Sequence, residues 1–138
     1  MELLKLKKAL VWIDEHDASI DMEIKVGTVS TANVREHWRT LAKRTKLQRV
    51  LTKNQLSLEA GGCNSLDVYC VLLTRIIPQG GRKYDSDNLA KALKPFRDGV
   101  ADAFKISDGP HGPVWVQDQF KDNESFGVRV RIWLREMA

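Results

Sequence analysis

The sequence predicts an α+β fold, with helices packed on a small mixed β-sheet in the order β-α-β-α-β-β, and three observations carry that expectation. Apolar and polar residues alternate from Ile20 to Val26. Two segments, one opening near Asn33 and one at Asp85, repeat their apolar residues at helical spacing. Between them the run from Leu66 to Ile77 is apolar on both alternating sets, the pattern of a strand covered on both faces. A chain of 138 residues, 43% hydrophobic and 29% charged, has the size and composition of one globular domain spanning residues 1–138.

In chain order, the longest apolar run of the N-terminal stretch, Ala9 to Ile13, is too short for a signal sequence or a membrane span. A cytoplasmic location without a membrane partner is expected. Ile20, Met22, Ile24 and Val26, interleaved with Asp21, Glu23 and Lys25, read as a half-buried strand ending at Gly27. Asn33 with Glu36 three residues later forms a capping-box signature, opening a helix through Trp38, Leu41, Leu47, Val50 and Leu51 that stops at Gly61-Gly62. In the next strand Leu66, Val68, Cys70 and Leu72 share one face, and Tyr69, Val71 and Leu73 the other; this strand is expected to be central.

After Pro78 a glycine-rich, basic loop leads to a second helix, with Leu89, Leu93, Phe96, Val100 and Ala103 on its apolar face and Asp87, Lys91, Lys94, Asp98 and Asp102 on its polar one. Pro95 lies inside that pattern, where proline bends or interrupts a helix. The segments Val114 to Phe120 and Val128 to Leu134, joined by a polar turn, read as a hairpin closing the sheet.

Charge is unevenly spread. The net charge is only +4, but Arg35, Arg39, Lys43, Arg44, Lys46, Arg49 and Lys53 face the single acid Glu36 between Val34 and Lys53. Such a run is either a solvated helix face or a footprint for a polyanion, in which Arg35, Arg39, Lys43, Arg44 and Lys46 would contact nucleic acid. Cys63 and Cys70 have the spacing of neither a zinc site nor a disulfide framework, and Cys70 is read as a core thiol. His16, His37 and His111 need not be ligands, and Trp38 and Trp133 suit buried positions.

Asp85-x-Asp87 at a loop-to-helix junction places two carboxylates within reach of one hard cation. Mg²⁺ takes one or two carboxylates together with water and phosphate oxygens. Lys91, four residues after Asp87, lies one turn along the same face and could touch a phosphate held there. The competing reading is that the aspartates cap the helix and Lys91 is a solvated partner of Asp87. Leu89 and Ala90 at the fifth and sixth positions exclude an EF-hand loop. The preceding loop and Leu89 also exclude a haloacid-dehalogenase-type phosphatase.

The stretch Asp85-Ser86-Asp87-Asn88-Leu89-Ala90-Lys91 resembles the D-x-D-N-L-x-K motif of RusA-like Holliday-junction resolvases. That resemblance implies a RusA-like fold and a Mg²⁺-dependent endodeoxyribonuclease, often phage-encoded, which resolves four-way DNA junctions by symmetric phosphodiester hydrolysis. It implies a metal cluster of Asp85, Asp87 and a downstream acid, carried here by Asp108, with Lys91 also required. Where the family often has paired acids, this chain has Ser107-Asp108-Gly109. Two cuts related by a twofold axis imply a homodimer. The alternative is a non-catalytic branched-DNA-binding protein with the same fold. A straight helix from Asp87 to Phe104 would rise about 25 Å and carry the chain away from Asp85 and Asp87. A break at Pro95 is therefore the expectation that lets Asp108 return to its own subunit; otherwise it serves the partner's site.

Overall fold

The structure, a computed structural model, describes residues 3–28, 38–60, 68–106 and 112–135, apart from the Trp38 side chain. Its elements are α1 (Leu3–Glu15), β1 (Ile20–Ile24), α2 (Trp38–Ala60), β2 (Val68–Ile77), α3 (Ser86–Phe104), β3 (Val114–Lys121) and β4 (Gly127–Leu134). The four strands form one mixed sheet in the order β1-β4-β2-β3, and the α+β fold expected from the sequence is the fold observed. Among the described residues no helix is long and apolar enough to cross a membrane.

β2 is central, and all its residues except Tyr69 are buried. On one face of the sheet Met22, Ile24, Val71, Leu73, Val128, Val130 and Ile132 pack with Leu56 of α2 and with Leu89, Leu93, Phe96, Val100 and Phe104 of α3. On the other face Ala9 of α1 packs with Cys70, Leu72, Val114 and Trp133, joined by Leu6, Trp12 and Ile13. Strict alternation groups Val68 with Cys70, but a register irregularity between them places Val68 in the α2/α3 cluster. Cys70 is a core thiol, pushed up to about 12 by burial. Trp133 is buried, its indole N–H donating to the His16 carbonyl, while the His16 ring stacks on Trp12.

Three expectations are corrected. α1 has no counterpart among the expected elements: its apolar residues are interrupted by Lys5, Lys7 and Lys8 and include the exposed Leu3, Leu4, Leu10 and Val11, so the helical stripe of Leu6, Ala9, Trp12 and Ile13 becomes legible only against the sheet that it covers. β3 and β4 do not form a hairpin, because β2 lies between them, parallel to β3 and antiparallel to β4. A parallel pair needs a crossover, which α3 supplies. The turn after β3 then steps past the end of β2, where the Asp122 N–H donates to the Ile77 carbonyl. Pro95 does not interrupt α3, which is continuous from Ser86 to Phe104. The residue is buried, and helix on both sides is held by core packing that outweighs one missing N–H. The cap at Asn33 and the stop at Gly61-Gly62 lie outside the described residues, as do Arg35, His37, Cys63, Leu66, Asp108 and His111.

α2 and α3 lie side by side, in closest approach at Gly99. A β-carbon there would stand 2.6 Å from both the Arg49 carbonyl oxygen and Thr52 Cβ. Thr52 is itself buried and donates to the Gln48 carbonyl. One turn further, Arg49 makes a two-pronged bond to Asp102, at 2.6 Å through Nε and 2.8 Å through Nη2. A similar fork joins Arg129 to Asp21.

Two outcomes follow from this helix pair. Gly99→Ala should destabilise the fold by about 1–3 kcal/mol, since backbone must move to admit the methyl group; an unchanged urea midpoint would show that α2 is not held at this spacing. The Arg49 hydrogen bond holds the Asp102 carboxyl below its ordinary value of 3.8. Its contribution is therefore complete above that value and is lost as pH falls below it. Because the pair is partly exposed, Asp102→Asn should cost about 0.2–1 kcal/mol at neutral pH, and the difference from the parent should shrink as the pH of the melts falls progressively below 3.8.

Candidate active site at the start of α3

Arg75 is the one charged residue of β2, and it is only 3% exposed. Its Nε donates to Thr28 Oγ1 at 3.0 Å, and its Nη1 donates to the Arg82 carbonyl at 2.8 Å and to Gln119 Oε1 at 3.2 Å. The guanidinium carbon lies 3.5 Å from the centre of the Tyr84 ring, a cation–π contact. Burial pulls the guanidinium below the ordinary arginine range, and Tyr84 opposes that shift. Gln119 also clamps Tyr84, accepting from its N–H at 3.0 Å and donating to its carbonyl at 2.6 Å. Gln117, two residues earlier on the same side of β3, donates to the Ser86 carbonyl at 3.3 Å. Residues 82–86 are thus fastened to the ends of β2 and β3 immediately before α3 begins.

Asp85 is the N-cap of α3. Its Oδ1 accepts from the Asn88 backbone N–H at 2.8 Å, and its Oδ2 accepts from Asn88 Nδ2 at 3.2 Å. The capping reading of Asp85 therefore describes a real contact, but each oxygen keeps a further lone pair for another partner. Asp87, in the first turn, and Lys91, one turn on, are exposed. Two exposed carboxylates at a fixed helix start are a donor set that suits Mg²⁺, which fills its remaining positions with water and phosphate.

A groove of about 220 Å³ runs between α2 and α3, with Arg44, Lys91 and Lys94 on its rim and Leu41, Thr45 and Gln48 along its α2 wall. Lys91 and Arg44, singled out in separate parts of the sequence, thus share one surface. Arg39, Lys43 and Lys46 are exposed on α2. Asp98, at the far end of the groove, is tied to Lys94 at 3.4 Å and to Arg49 at 3.9 Å, in keeping with a structural role.

Asp108 lies outside the described residues. Ile106 folds back to bond the Ala101 carbonyl at the C-terminus of α3, and Val114 pairs with Cys70 at the early end of β2, while Asp85 follows the late end. The continuous α3 removes the expected break at Pro95 as a means of bringing Asp108 back. Among the described residues no three His, Cys, Asp or Glu side chains gather as a metal-binding group. Asp118, between Gln117 and Gln119, is turned by strand alternation toward Arg129 and Arg131 on the opposite face. The sequence reading missed Arg75, Tyr84, Gln117 and Gln119. A lone arginine in the run Val-Tyr-Cys-Val-Leu-Leu-Thr-Arg-Ile-Ile and two glutamines at strand spacing were the signals that could have found them.

Comparison of the chain with protein-family models, with curated proteins and with solved structures returns no match.

Proposed function

We propose that the chain is a Mg²⁺-dependent endodeoxyribonuclease of RusA-like type, cytoplasmic and homodimeric, which cuts four-way DNA junctions. The observation that carries this reading is the pair Asp85 and Asp87 at the start of α3, one helical turn before Lys91, which lines a groove together with Arg44 and Lys94. Asp85 and Asp87 would hold the metal, which when bound would neutralise charge at the phosphodiester and lower the proton affinity of a water nucleophile. Asn88 orients the Asp85 carboxylate by its two hydrogen bonds. Lys91 offers its ammonium to a non-bridging oxygen of the phosphate undergoing attack. Arg44 engages a neighbouring phosphate, and Arg39, Lys43 and Lys46 extend that track, with Arg35 preceding it in the chain. Asp108 completes the acid set in this reading, from the same subunit or its partner.

A second reading, a branched-DNA-binding protein without cleavage, is favoured by one observation: both Asp85 oxygens are already engaged by Asn88. Asparagine caps a helix about as well as aspartate, which separates the two readings. Asp85→Asn should leave the thermal midpoint unchanged while abolishing Mg²⁺-dependent cutting of a four-way junction. Asp85→Ala should lose both cutting and about 0.5–2 kcal/mol of stability. An Asp85→Asn protein that cuts like the parent, or a parent inert with Mg²⁺ yet junction-binding, would favour the cap alone.

Replacing Arg39, Lys43 and Lys46 together by Ala should weaken binding to every DNA form. The slope of log affinity against log salt should fall by about 0.9 for each duplex phosphate that is no longer neutralised. An unaltered slope would place the polyanion footprint elsewhere.

A further inference from the structure

A second groove, of about 310 Å³, lies on the other side of α3, between that helix and β3. Leu73, Leu93 and Trp115 give it an apolar floor, and Lys94, Arg97 and Gln117 are its polar groups. We propose that this groove receives one unpaired nucleotide of a DNA strand, its base against Arg97 and its phosphate at Lys94. The inference rests on the reading of the chain as a DNA-binding protein and goes beyond it, since it assigns recognition of single-stranded character to a specific place.

Five observations converge on that occupant. The volume is at the lower end of the range for small-ligand sites, which suits one nucleotide and not a helix or strand of a protein partner. Among the described residues the lining carries two cations, Lys94 and Arg97, and no acid, which complements a phosphate. Lys94 makes a 3.4 Å contact to Asp98, a long bond that a phosphate oxygen can replace. The Arg97 guanidinium carbon lies 4.6 Å from the centre of the Trp115 ring, presenting a planar cation supported from behind by an aromatic, the kind of surface on which unstacked bases rest. The Trp115 indole N–H is buried without an acceptor among the described residues, so the groove wall contains a donor that a base carbonyl could satisfy after a small rotation.

Position links the groove to the candidate active site. Gln117 forms one end of the lining and donates to the Ser86 carbonyl, between Asp85 and Asp87. A nucleotide seated here would be a near neighbour of the phosphate facing the two aspartates. Junctions and other branched DNA expose unpaired or easily unstacked nucleotides at the crossover, whereas an uninterrupted duplex does not, so the groove would contribute to the choice of branched substrate.

The test uses the full chain without Mg²⁺, so that it is independent of cutting. The protein has four tryptophans, and the Trp115 indole resonance is assigned by its loss in Trp115→Phe. Addition of a hexathymidylate strand should shift that resonance. A blunt duplex of matched charge and inorganic phosphate should not. Arg97→Lys keeps the charge and loses the planar stacking surface, and Ala90→Trp fills the groove from α3. Each should reduce the affinity ratio of single-stranded over duplex DNA by about tenfold, the order of one base stack. A still Trp115 resonance, an equal response to phosphate alone, or an unchanged ratio in both variants would overturn the proposal. Failure of cutting with a responsive Trp115 would overturn the nuclease reading and leave this one standing.

Discussion

A full positive charge held inside the sheet at Arg75 is the constraint around which the candidate site is organised. Removing a guanidinium from water costs several kcal/mol unless its donors are met. Among the described residues no carboxylate meets them; a hydroxyl, an amide oxygen, a backbone carbonyl and the face of Tyr84 do. Two of those partners belong to the segment leading into α3. The loop cannot drift without leaving a buried cation short of acceptors, and Asp85 follows that loop directly. The fixity of the exposed aspartates thus derives from a group that does not touch them.

A second organising effect is the sorting of charge along the α2/α3 pair. The early residues of α2 lie beside the early residues of α3, and the late beside the late. Asp98 and Asp102, in the later half of α3, are taken up by Arg49, with Gly99 allowing the close approach that makes this possible. The earlier half is left with Lys91 and Lys94 facing Arg44. The basic end of the groove therefore lies toward the start of α3, and in the proposed reading it would guide a polyanion along the helix to Asp85 and Asp87.

What could be read from the sequence follows from how local each signal is. The alternation of β1, the two-sided burial of β2 and the apolar stripe of α3 are fixed within a few residues, and all three hold. The cap at Asp85 is equally local. Pairing is not local: Val114–Lys121 and Gly127–Leu134 have the spacing of a hairpin, yet β2 competes for the same edges and lies between them. α1 was hidden because its apolar stripe is weak until the sheet face appears. The site was half legible. Asp85, Asp87 and Lys91 belong to one short motif, whereas Arg75, Tyr84, Gln117 and Gln119 meet only after the crossover brings β2 and β3 together.

The strand order also dictates when this protein can become a folded object. β1 has β4 as its neighbour, and β4 is the last of the described strands. During synthesis the first strand must wait, with Met22 and Ile24 uncovered on one edge, until the ribosome has made everything up to Leu134. β2 can recruit α3 and β3 in the meantime, because they follow it closely. The half-finished chain is accordingly a three-element wedge with one open flank, and the final strand enters as a keystone between two elements that had not met before it arrived. Such long-range closure is slow relative to local assembly, so the interval before β4 is made is when the exposed flank of β2 is most open to the wrong partner.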